Sequence, residues 1–394
     1  MTNWKEYKVE DFAEVIGGGT PSTKNDAYFG GSIPWITPRD LTNYDRKFIK
    51  NGDRNITKEG LKNSSAKLIP KNAILLTSRA PIGYLVIAQN EVSTNQGFKS
   101  IVVNPEIADY NFIFYLIKAN IERIKSFGTG TTFAEVSASI VKNLKFNLPD
   151  LPTQTAIAEI LSSLDDKIEL NNKINQELEN LAQTLFKQWF IDFEFPNQNG
   201  EPYKSSGGEM VDSELGEIPK GWEVGIFGEI CKLSTGKGIK KKDYLFDGSY
   251  PVIGANGVMG FYDKFNTEGF KILTGRVGTL GTVRINTEKV WTSDNVIVCS
   301  PKSEELDHFA YYVLSSFNFE ALNRGSTQPL LTQTDLKSQV IIIPSFNVLK
   351  TFNFQLDSQY SIVSNNKNEN KELTNLRDTL LPKLISGELE VKKT

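Results

Sequence analysis

Histidine, cysteine and long apolar segments are scarce in this sequence of 394 residues, which contains one histidine and two cysteines. Cys231 and Cys299 are too few for a disulfide framework and too far apart for a metal-binding motif. We therefore expect two reduced thiols in a cytoplasmic protein. No apolar run approaches the roughly 20 residues that a membrane-spanning helix needs. These absences argue against a disulfide-stabilised, zinc-binding or membrane-spanning class of protein.

Motifs for catalysis are lacking as well. His308 lies in a helix-like run and is more typical of a packing or surface residue than of a general base. Gly17–Pro21 is not followed by the lysine of a phosphate-binding loop, so we interpret it as a turn. Asn104-Pro105-Glu106 lacks the aromatic residue that stacks on a flipped base in amino-methyltransferases. We expect no catalytic residue and no metal site in this chain. A nuclease whose carboxylates form no recognisable motif is the alternative.

Acidic residues are concentrated in one segment. Residues 153–218 contain 4 Lys or Arg against 13 Asp or Glu, whereas residues 1–152 contain 19 against 15 and residues 219–345 contain 14 against 13. A local patch of cations binds phosphate, and the net charge of the chain does not decide it. The net charge of −3 therefore permits nucleic-acid binding by the two flanking blocks without requiring it.

The sequence repeats itself at an offset of about 195 residues. Seven of eleven positions are identical between residues 175–185 and residues 370–380. Further matches occur in the same order. They pair Leu148-Pro149 with Ile343-Pro344, Ile74–Arg79 with Lys271–Arg276, and Gly128–Thr132 with Gly325–Gln328. Because the order of the features agrees, we interpret the chain as two diverged copies of one module.

Each copy consists of a globular block with strand-like runs followed by a long helix. Thr153 and Thr155 are candidate caps of the first helix. Apolar residues recur at 4-3-4 spacing along both helices, and such seams need a partner helix. The other copy's seam is one candidate partner, and packing of each helix on its own domain is the alternative. The predicted seam residues are Ile157, Leu161, Leu164, Ile168, Ile174, Leu178, Leu181, Leu185, Leu356, Tyr360, Val363, Leu373, Leu376 and Leu380.

These patterns predict five segments. Residues 1–150 form the first globular block and residues 151–192 the first long helix. Residues 193–218 are rich in Gly, Ser, Pro and acidic residues, which is typical of a linker with little core of its own. Residues 219–345 form the second block and residues 346–394 the second long helix.

Several stretches closely resemble the specificity subunits of type I restriction–modification systems. The segments that carry the resemblance are Gly208–Trp222, Leu151–Leu161, Leu164–Ile168, Thr184–Phe190 and Arg377–Leu389, with Ile33–Leu41 and Leu76–Gly83 matching more loosely. Gly208–Trp222 is similar to the family's lead-in to a second recognition domain. The resemblance covers nearly the whole chain, but Phe346–Leu356 lacks a clear counterpart of Thr153–Leu161.

The resemblance implies an α+β protein with two target recognition domains of mixed α/β structure. They would be separated by two long antiparallel helices that form a coiled-coil spacer, with a pseudo-two-fold internal repeat. Each domain would read one half of a gapped, bipartite DNA site. A helix over residues 153–190 is about 57 Å long, against ~34 Å for one turn of DNA. Such a spacer can hold two readers more than one DNA turn apart.

The resemblance also implies partners. Methyltransferase (modification) subunits, about two per chain, and restriction/motor subunits would bind S-adenosylmethionine, ATP and Mg²⁺, with no cofactor in this chain and no catalysis of its own. A free-standing, duplicated DNA-binding regulator is the alternative.

Base reading needs hydrogen-bond donors on rigid supports, with Arg suited to guanine and Asn or Gln to adenine. Arg79 and Arg276 occupy the same place in the aligned copies. A shared position of this kind indicates either a common DNA contact or a common salt bridge inside the domain. The dense basic cluster Lys237–Lys242 is a candidate for phosphate contact or a solvated loop. The candidate DNA-binding residues are Arg39, Arg79, Asn95, Gln96, Lys99, Lys240, Lys241, Lys242, Asn256, Arg276, Asn295 and Gln328, beside the polar loops Thr129–Thr132 and Ser326–Gln328.

Overall fold

Two units make up the chain in a computed structural model that describes residues 4–129, 134–325 and 327–391. Unit 1 comprises Met1–Lys173 and Asn366–Thr394, and unit 2 comprises Ile174–Asn365. Each unit therefore contains one globular block and a part of each long helix. Gly130–Thr132 and Ser326, which belong to two predicted polar loops, lie outside the described residues.

Unit 1 is built around a five-stranded and a four-stranded sheet. Its strands are β1 (Lys5–Lys8), β2 (Ala13–Gly17), β3 (Phe29–Ile36), β4 (Phe48–Ile49), β5 (Arg54–Ile56), β6 (Leu68–Ile69), β7 (Ile74–Ser78), β8 (Ile82–Ala88), β9 (Val92–Thr94), β10 (Phe98–Val103) and β11 (Lys145–Leu148). The five-stranded sheet has the order β2-β10-β7-β8-β4, and the four-stranded sheet has the order β5-β3-β9-β6. β1 pairs with β11, which joins the two ends of the block.

Short helices cover these sheets. They are α1 (Val9–Phe12), α2 (Lys58–Lys62), α3 (Tyr110–Ala119), α4 (Ile121–Ser126) and α5 (Ala138–Asn143), and the long helix α6 (Leu151–Phe186) follows. All five residues of β7 are buried. α3 buries six consecutive residues, Phe112 to Ile117. The core of unit 1 therefore lies between the central strand β7 and α3.

Unit 2 repeats the plan. Its strands are β12 (Met210–Ser213), β13 (Gly216–Pro219), β14 (Glu223–Ile226), β15 (Cys231–Thr235), β16 (Tyr250–Gly254), β17 (Gly257–Tyr262), β18 (Lys271–Gly275), β19 (Val283–Asn286), β20 (Trp291–Thr292), β21 (Val296–Pro301) and β22 (Val340–Ile343). Its short helices are α7 (Phe227–Ile230), α8 (Asp307–Ser315) and α9 (Gln333–Lys337). The long α10 (Phe346–Ser386) begins in this unit, and its residues from Asn366 onwards belong to unit 1. A π-helical turn, Lys187–Ile191, follows α6.

The topology confirms the predicted duplication. The sheet order β15-β21-β18-β19 repeats β2-β10-β7-β8, and β17-β16-β20 repeats β5-β3-β9. β16 and β20 are parallel, as are β3 and β9. The pairing of β14 with β22 repeats that of β1 with β11. The α+β class and the internal repeat are therefore as predicted.

The long helices run antiparallel within unit 1. Arg377 Nη1 donates to Asp165 Oδ1 at 2.6 Å, and Asn370 Nδ2 donates to Asn172 Oδ1 at 2.8 Å. The later contact residue on α6 pairs with the earlier contact residue on α10, so the two helices run in opposite directions. Asn171 is completely buried between them, and its amide donates to Asn370 Oδ1 at 2.9 Å.

The same direction holds within unit 2. Tyr360 Oη donates to Glu179 Oε2 at 3.2 Å, and the rings of Phe186 and Phe352 lie 6.4 Å apart. These contacts join the second half of α6 to the first half of α10. Among the described residues, no helix combines the length and apolarity needed to cross a membrane.

Of the fourteen predicted seam residues three are buried, eight are half-buried and three are exposed. Ile174, Leu181 and Leu376 expose 37%, 53% and 47% of their surface. Near Leu181 the buried positions are Ala182 and Phe186, because a 3.6-residue helix drifts away from a strict heptad pattern. The fully buried seam residues are Ile157, Leu161 and Leu356; the half-buried ones are Leu164, Ile168, Leu178, Leu185, Tyr360, Val363, Leu373 and Leu380.

The helices also pack on their own globular blocks, so the two alternatives for the seam coexist. Ile157 and Leu161 of α6 share the core of unit 1 with Leu384 of α10. The cap of α6 is Asp150, whose Oδ1 accepts from the Thr153 amide at 3.2 Å. The expectation of a threonine cap was wrong, since the helix begins two residues before Thr153.

The segment 193–218 is anchored at its two ends, while none of residues 196–217 is buried and most of them are exposed. Phe193 and Phe195 are buried in the core of unit 2. The Phe195 ring stacks on Tyr203 at 4.5 Å and on Trp222 at 5.0 Å. β12 and β13 form a hairpin at its end. A few aromatic residues within a polar stretch supply enough apolar surface to anchor its first part, and composition alone does not show this.

Candidate DNA-recognition surfaces

Arg79 in unit 1 is part of an internal ion-pair cluster. It follows β7, and its Nη1 lies 3.6 Å from Glu135 Oε2. Lys99 of β10 is largely buried, and its Nζ lies 3.0 Å from Glu135 Oε1 and 3.3 Å from Ser78 Oγ. One carboxylate thus binds both cations. This arrangement favours the internal salt bridge for Arg79, and it leaves the Lys99 ammonium group engaged inside the domain.

Arg276 does not occupy the place of Arg79. The Arg276 amide donates to Asn295 O at 2.8 Å, as the Ser78 amide donates to Gly97 O at 2.7 Å. The carbonyl groups of Arg276 and Ser78 also accept equivalent bonds, from Leu331 and from Val136. Arg276 is therefore equivalent to Ser78. The sequence alignment was off by one residue, which turns a side chain to the opposite face of a strand.

This shift leaves Arg276 in different surroundings. By the same register, Leu330 stands where Glu135 stands in unit 1. The half-buried Arg276 guanidinium makes no hydrogen bond or ion pair with any residue that the structure describes. The backbone bonds of residues 276–278 to Asn295, Pro329 and Leu331 bring three predicted candidates together at the end of β18: Arg276, Asn295 and Gln328. Asn295 and Gln328 are exposed.

Asn95 and Gln96 form the turn between β9 and β10. Asn95 Oδ1 accepts from the Gly97 amide at 2.9 Å, so the side chain stabilises its own turn. Gln96 is exposed and accepts a hydrogen bond from the Thr20 hydroxyl. A Cβ at Gly18 would lie 1.9 Å from Asn95 O, so only glycine allows this close approach. Gly17 ends β2, and the amides of Gly18 and Gly19 donate to Phe98 O and Thr94 O, so the segment Gly17–Pro21 is an irregular stretch that lies against the Asn95 turn, in contrast to the predicted turn.

The predicted basic cluster lies on a loop that is fixed at its base. The Lys237 amide donates to Thr292 O at 2.9 Å, and Trp291 Nε1 donates to Lys237 O at 2.8 Å. Lys240, Lys241 and Lys242 follow and are exposed. Their ammonium groups have no hydrogen-bond or ion-pair partner within the described part of the chain. Three unpaired cations on a fixed loop suit phosphate contact.

Asn256 and Arg39 are the remaining candidates. Asn256 is exposed at the turn between β16 and β17, where Arg284 Nη2 donates to Ala255 O at 3.5 Å. The sequence did not single out Arg284, because nothing local links it to this turn. Arg39 is exposed on the 3-10 turn Pro38–Leu41. That turn is capped by Asp40 Oδ2, which accepts from the Thr37 amide at 2.6 Å.

His308 is a packing residue, in line with the sequence. It is 2% exposed, its Nε2 lies 3.0 Å from Asp357 Oδ1, and its ring stacks on Tyr360 at 4.4 Å. Burial lowers the pKa of His308, although the Asp357 carboxylate opposes this. Within the described ranges, no group of three or more His, Cys, Asp or Glu residues could hold a metal ion.

Two diverged β-rich domains that present amide and cationic side chains, each packed on a pair of long helices, define a duplicated recognition protein. Residues 1–180 and 219–375 match the family model of the type I restriction modification DNA specificity domain. The chain therefore belongs to the family of type I restriction–modification DNA specificity subunits, and its role is DNA specificity.

Individual relatives agree with this assignment. The chain is 35% identical to the type I restriction enzyme MjaIX specificity subunit of Methanocaldococcus jannaschii, over 99% of this chain and 94% of that protein. It is 26% identical to the HindI specificity subunit of Haemophilus influenzae, over 99% and 100%. The fold is similar to that of a type I S subunit from M. genitalium, with a TM-score of 0.63 at 19% identity, covering 100% of this chain and 97% of that one.

Proposed function

We propose that this chain recognises a bipartite, gapped DNA site, with the globular block of each unit reading one half. The observation that carries the proposal is a shared strand register with different side chains at equivalent places. Arg276 stands at the position of Ser78. Asn295, whose carbonyl accepts from the Arg276 amide, stands at the position of Gly97, whose carbonyl accepts from the Ser78 amide. A common backbone with different donors suits two readers of different sequences.

We further propose that two modification subunits bind the chain, one at each unit. Leu181 and Leu376 stand at equivalent positions of the most faithfully repeated segment, and both are about half exposed. A single exposed leucine is common on protein surfaces and needs no explanation. Two exposed leucines at equivalent positions of paired helices, however, suit the docking of two copies of one partner. Leu181 lies in unit 2 and Leu376 in unit 1. In this proposal the partners work in the cytoplasm. The modification and restriction subunits supply S-adenosylmethionine, ATP and Mg²⁺, and all of the catalysis.

Methylation mapping tests the reading of DNA. Sequencing of methylated bases in cells with and without this gene should identify a gapped motif that depends on it. The purified complex of this chain with its modification subunits should then bind a duplex carrying that motif more tightly than a scrambled duplex. Equal affinity for both duplexes contradicts the proposal.

Native mass spectrometry tests the partner stoichiometry. Leu181→Asp or Leu376→Asp should each leave one modification subunit per chain, and the double variant should leave none. Leu170→Asp is the matched control, since Leu170 is 51% exposed on the same helix but lies outside the repeated segment, and it should retain two. Retention of two subunits by the double variant contradicts these docking positions.

A further inference from the structure

Unit 2 carries a cluster of exposed apolar side chains beside its basic loop. Phe246 is 99% exposed, and Val258 and Met259 of β17 are 61% and 56% exposed. Leu245 and Phe261 are each 39% exposed. We call these five residues the β17 patch. Large apolar side chains are normally buried, and a contiguous exposed group of them marks an interaction surface.

The loop that carries Phe246 is fastened on both sides. The Leu245 amide donates to Phe261 O at 2.9 Å, and the Ser249 amide donates to Asp263 Oδ1 at 3.4 Å. Tyr244 packs so closely on Gly260 that a Cβ there would lie 2.6 Å from its ring. Phe246 is therefore presented at the apex of a fixed loop.

At the corresponding strand start of unit 1, Phe29 directly follows the 3-10 turn Asp26–Tyr28 and has a structural role. Phe29 precedes Trp35 by six residues, and the two rings pack edge to face with centroids 5.9 Å apart. The guanidinium carbon of Arg54, which pairs with Trp35 across the sheet, lies 4.2 Å from the centroid of the Phe29 ring. Phe29 thus has an aromatic and a cationic neighbour within its own domain.

In the second copy the counterpart of Phe29 is Tyr244, which directly follows the 3-10 turn Lys241–Asp243 and packs on Gly260. The parallel pairing to β20 makes Val252 equivalent to Trp35. Tyr244 precedes Val252 by eight residues whereas Phe29 precedes Trp35 by six, so the loop that carries Phe246 is two residues longer in unit 2. Gly260 pairs with Val252 as Arg54 pairs with Trp35. Phe246 lies in this longer loop and is 99% exposed, so nothing within the domain covers its ring. Packing within the domain does not account for Phe246.

The charge around the patch favours nucleic acid as its partner. Residues 237–264 contain five lysines against three aspartates. Lys240, Lys241 and Lys242 precede Phe246 closely, and the exposed Asn256 ends the neighbouring hairpin. Cations that neutralise phosphates, together with an apolar ring that contacts bases, are the combination that DNA-binding proteins use to stack on bases or unstack a base step.

We propose that Phe246 is a base-stacking residue of the second recognition domain. Its ring inserts against the bases of the half-site that unit 2 reads, with Val258 and Met259 in the groove beside it, while the lysine loop holds the adjacent phosphates. This inference rests on the proposed function, since it assigns a DNA-contacting role within that domain. Stacking of this kind contributes about 5-fold to 100-fold in affinity per base.

The test uses the full chain in complex with its modification subunits. A fluorescein-labelled duplex carrying the mapped motif is titrated by anisotropy at several salt concentrations. Phe246→Ala should raise Kd by about 5-fold or more without changing the salt dependence, because no phosphate contact is removed. Phe246→Trp should bind with about the wild-type affinity, because it keeps an aromatic ring at this position. Phe354→Ala is the matched control, since Phe354 is 78% exposed on α10 of the same unit, and it should bind as the wild type does.

A second readout reports the bases directly. Wild-type complex should increase the fluorescence of 2-aminopurine placed at one position of the second half-site, and Phe246→Ala should not. Wild-type affinity in Phe246→Ala overturns the inference, as does loss of a modification subunit or of a chain dimer in that variant, since the patch would then bind protein. If the wild-type complex binds the mapped motif no more tightly than a scrambled duplex, the proposed function itself is wrong. That outcome is visible from the wild-type titrations alone, so it is distinguishable from failure of the Phe246 inference.

Discussion

The ion pair between Asp165 and Arg377 offers the sharpest test of how the long helices are held in unit 1. Asp165 Oδ1 lies 2.6 Å from Arg377 Nη1, and its Oδ2 accepts from Tyr115 Oη at 2.6 Å. The side chains of Asp165 and Arg377 are 11% and 15% exposed. Burial raises the pKa of Tyr115, so its hydroxyl remains a donor at neutral pH. One carboxylate thus joins α6 to both α10 and α3.

Asp165→Ala should strongly destabilise unit 1. It leaves a nearly buried guanidinium and a buried hydroxyl without their acceptor, and loss of one partner of a buried pair costs about 3–5 kcal/mol. The lower end applies here, because Arg377 retains Asp378 at 2.8 Å. Tyr115→Phe removes one bond to a charged group and should cost about 1.5–3 kcal/mol. Asp165→Leu combined with Arg377→Met and Tyr115→Phe removes both charges and the hydroxyl that Asp165 accepts, and this triple variant should stay within about 1 kcal/mol of the wild type.

Hydrogen exchange followed by mass spectrometry measures this cost unit by unit. In Asp165→Ala, peptides from α3 and from residues 151–170 should lose about 100-fold or more in protection, because each 1.4 kcal/mol is a factor of ten. Peptides from β15 and β18 in unit 2 serve as the internal control. A loss of protection below about 5-fold in unit 1, equivalent to 1 kcal/mol, contradicts the assignment of the pair as the joint between the helices. A triple variant as unstable as Asp165→Ala contradicts it as well.

Three further predictions concern charge and polarity. Replacing Lys240, Lys241 and Lys242 with Ala should reduce the slope of log Kd against log salt by up to about 2.7 if each contacts one phosphate, measured by anisotropy, and an unchanged slope contradicts phosphate contact. Burial, aided by a neighbouring carboxylate, raises the pKa of Asp307 to about 7. The folded state then loses stability as pH rises from about 4 to 7, so Asp307→Asn should raise the urea midpoint more at pH 8 than at pH 5; equal gains contradict this. Asn171→Leu should leave stability nearly unchanged but broaden spin-label distances between the helices of unit 1, and an unbroadened distribution removes a role in register.

Features set by local sequence were predicted well. The duplication, the strand Val340–Ile343 and the helix around His308 follow from residue order and periodicity. The extent of the first helix also follows, since its apolar spacing continues to the observed π-helical turn at Lys187–Ile191. Such signals need no knowledge of distant contacts, because periodicity reports which face of an element is buried.

Features set by non-local contacts were not predictable. The places of Arg79 and Arg276 differ by one residue because the backbone hydrogen bonds to Gly97 and Asn295 decide the register, and an alignment of similar letters does not contain them. Leu181 has the spacing of a seam residue, but packing of α6 on the core of unit 2 turns it outwards. In each case the sequence predicted the type of element correctly. The tertiary structure decides which side chains of that element face the core and which face outwards.

The two copies keep equivalent backbone hydrogen bonds at the end of the central strand and differ in the side chains at these positions. In unit 1, Glu135 binds both Arg79 and Lys99 and closes the end of β7 with internal ion pairs. In unit 2, the backbone bond at that place is kept by Leu331, and Arg276 is left without a partner among the described residues. Because the hydrogen bonds that hold the strand ends come from backbone groups, side chains there can change without loss of the fold. That separation of backbone support from side-chain identity is what a family of DNA readers needs in order to diverge.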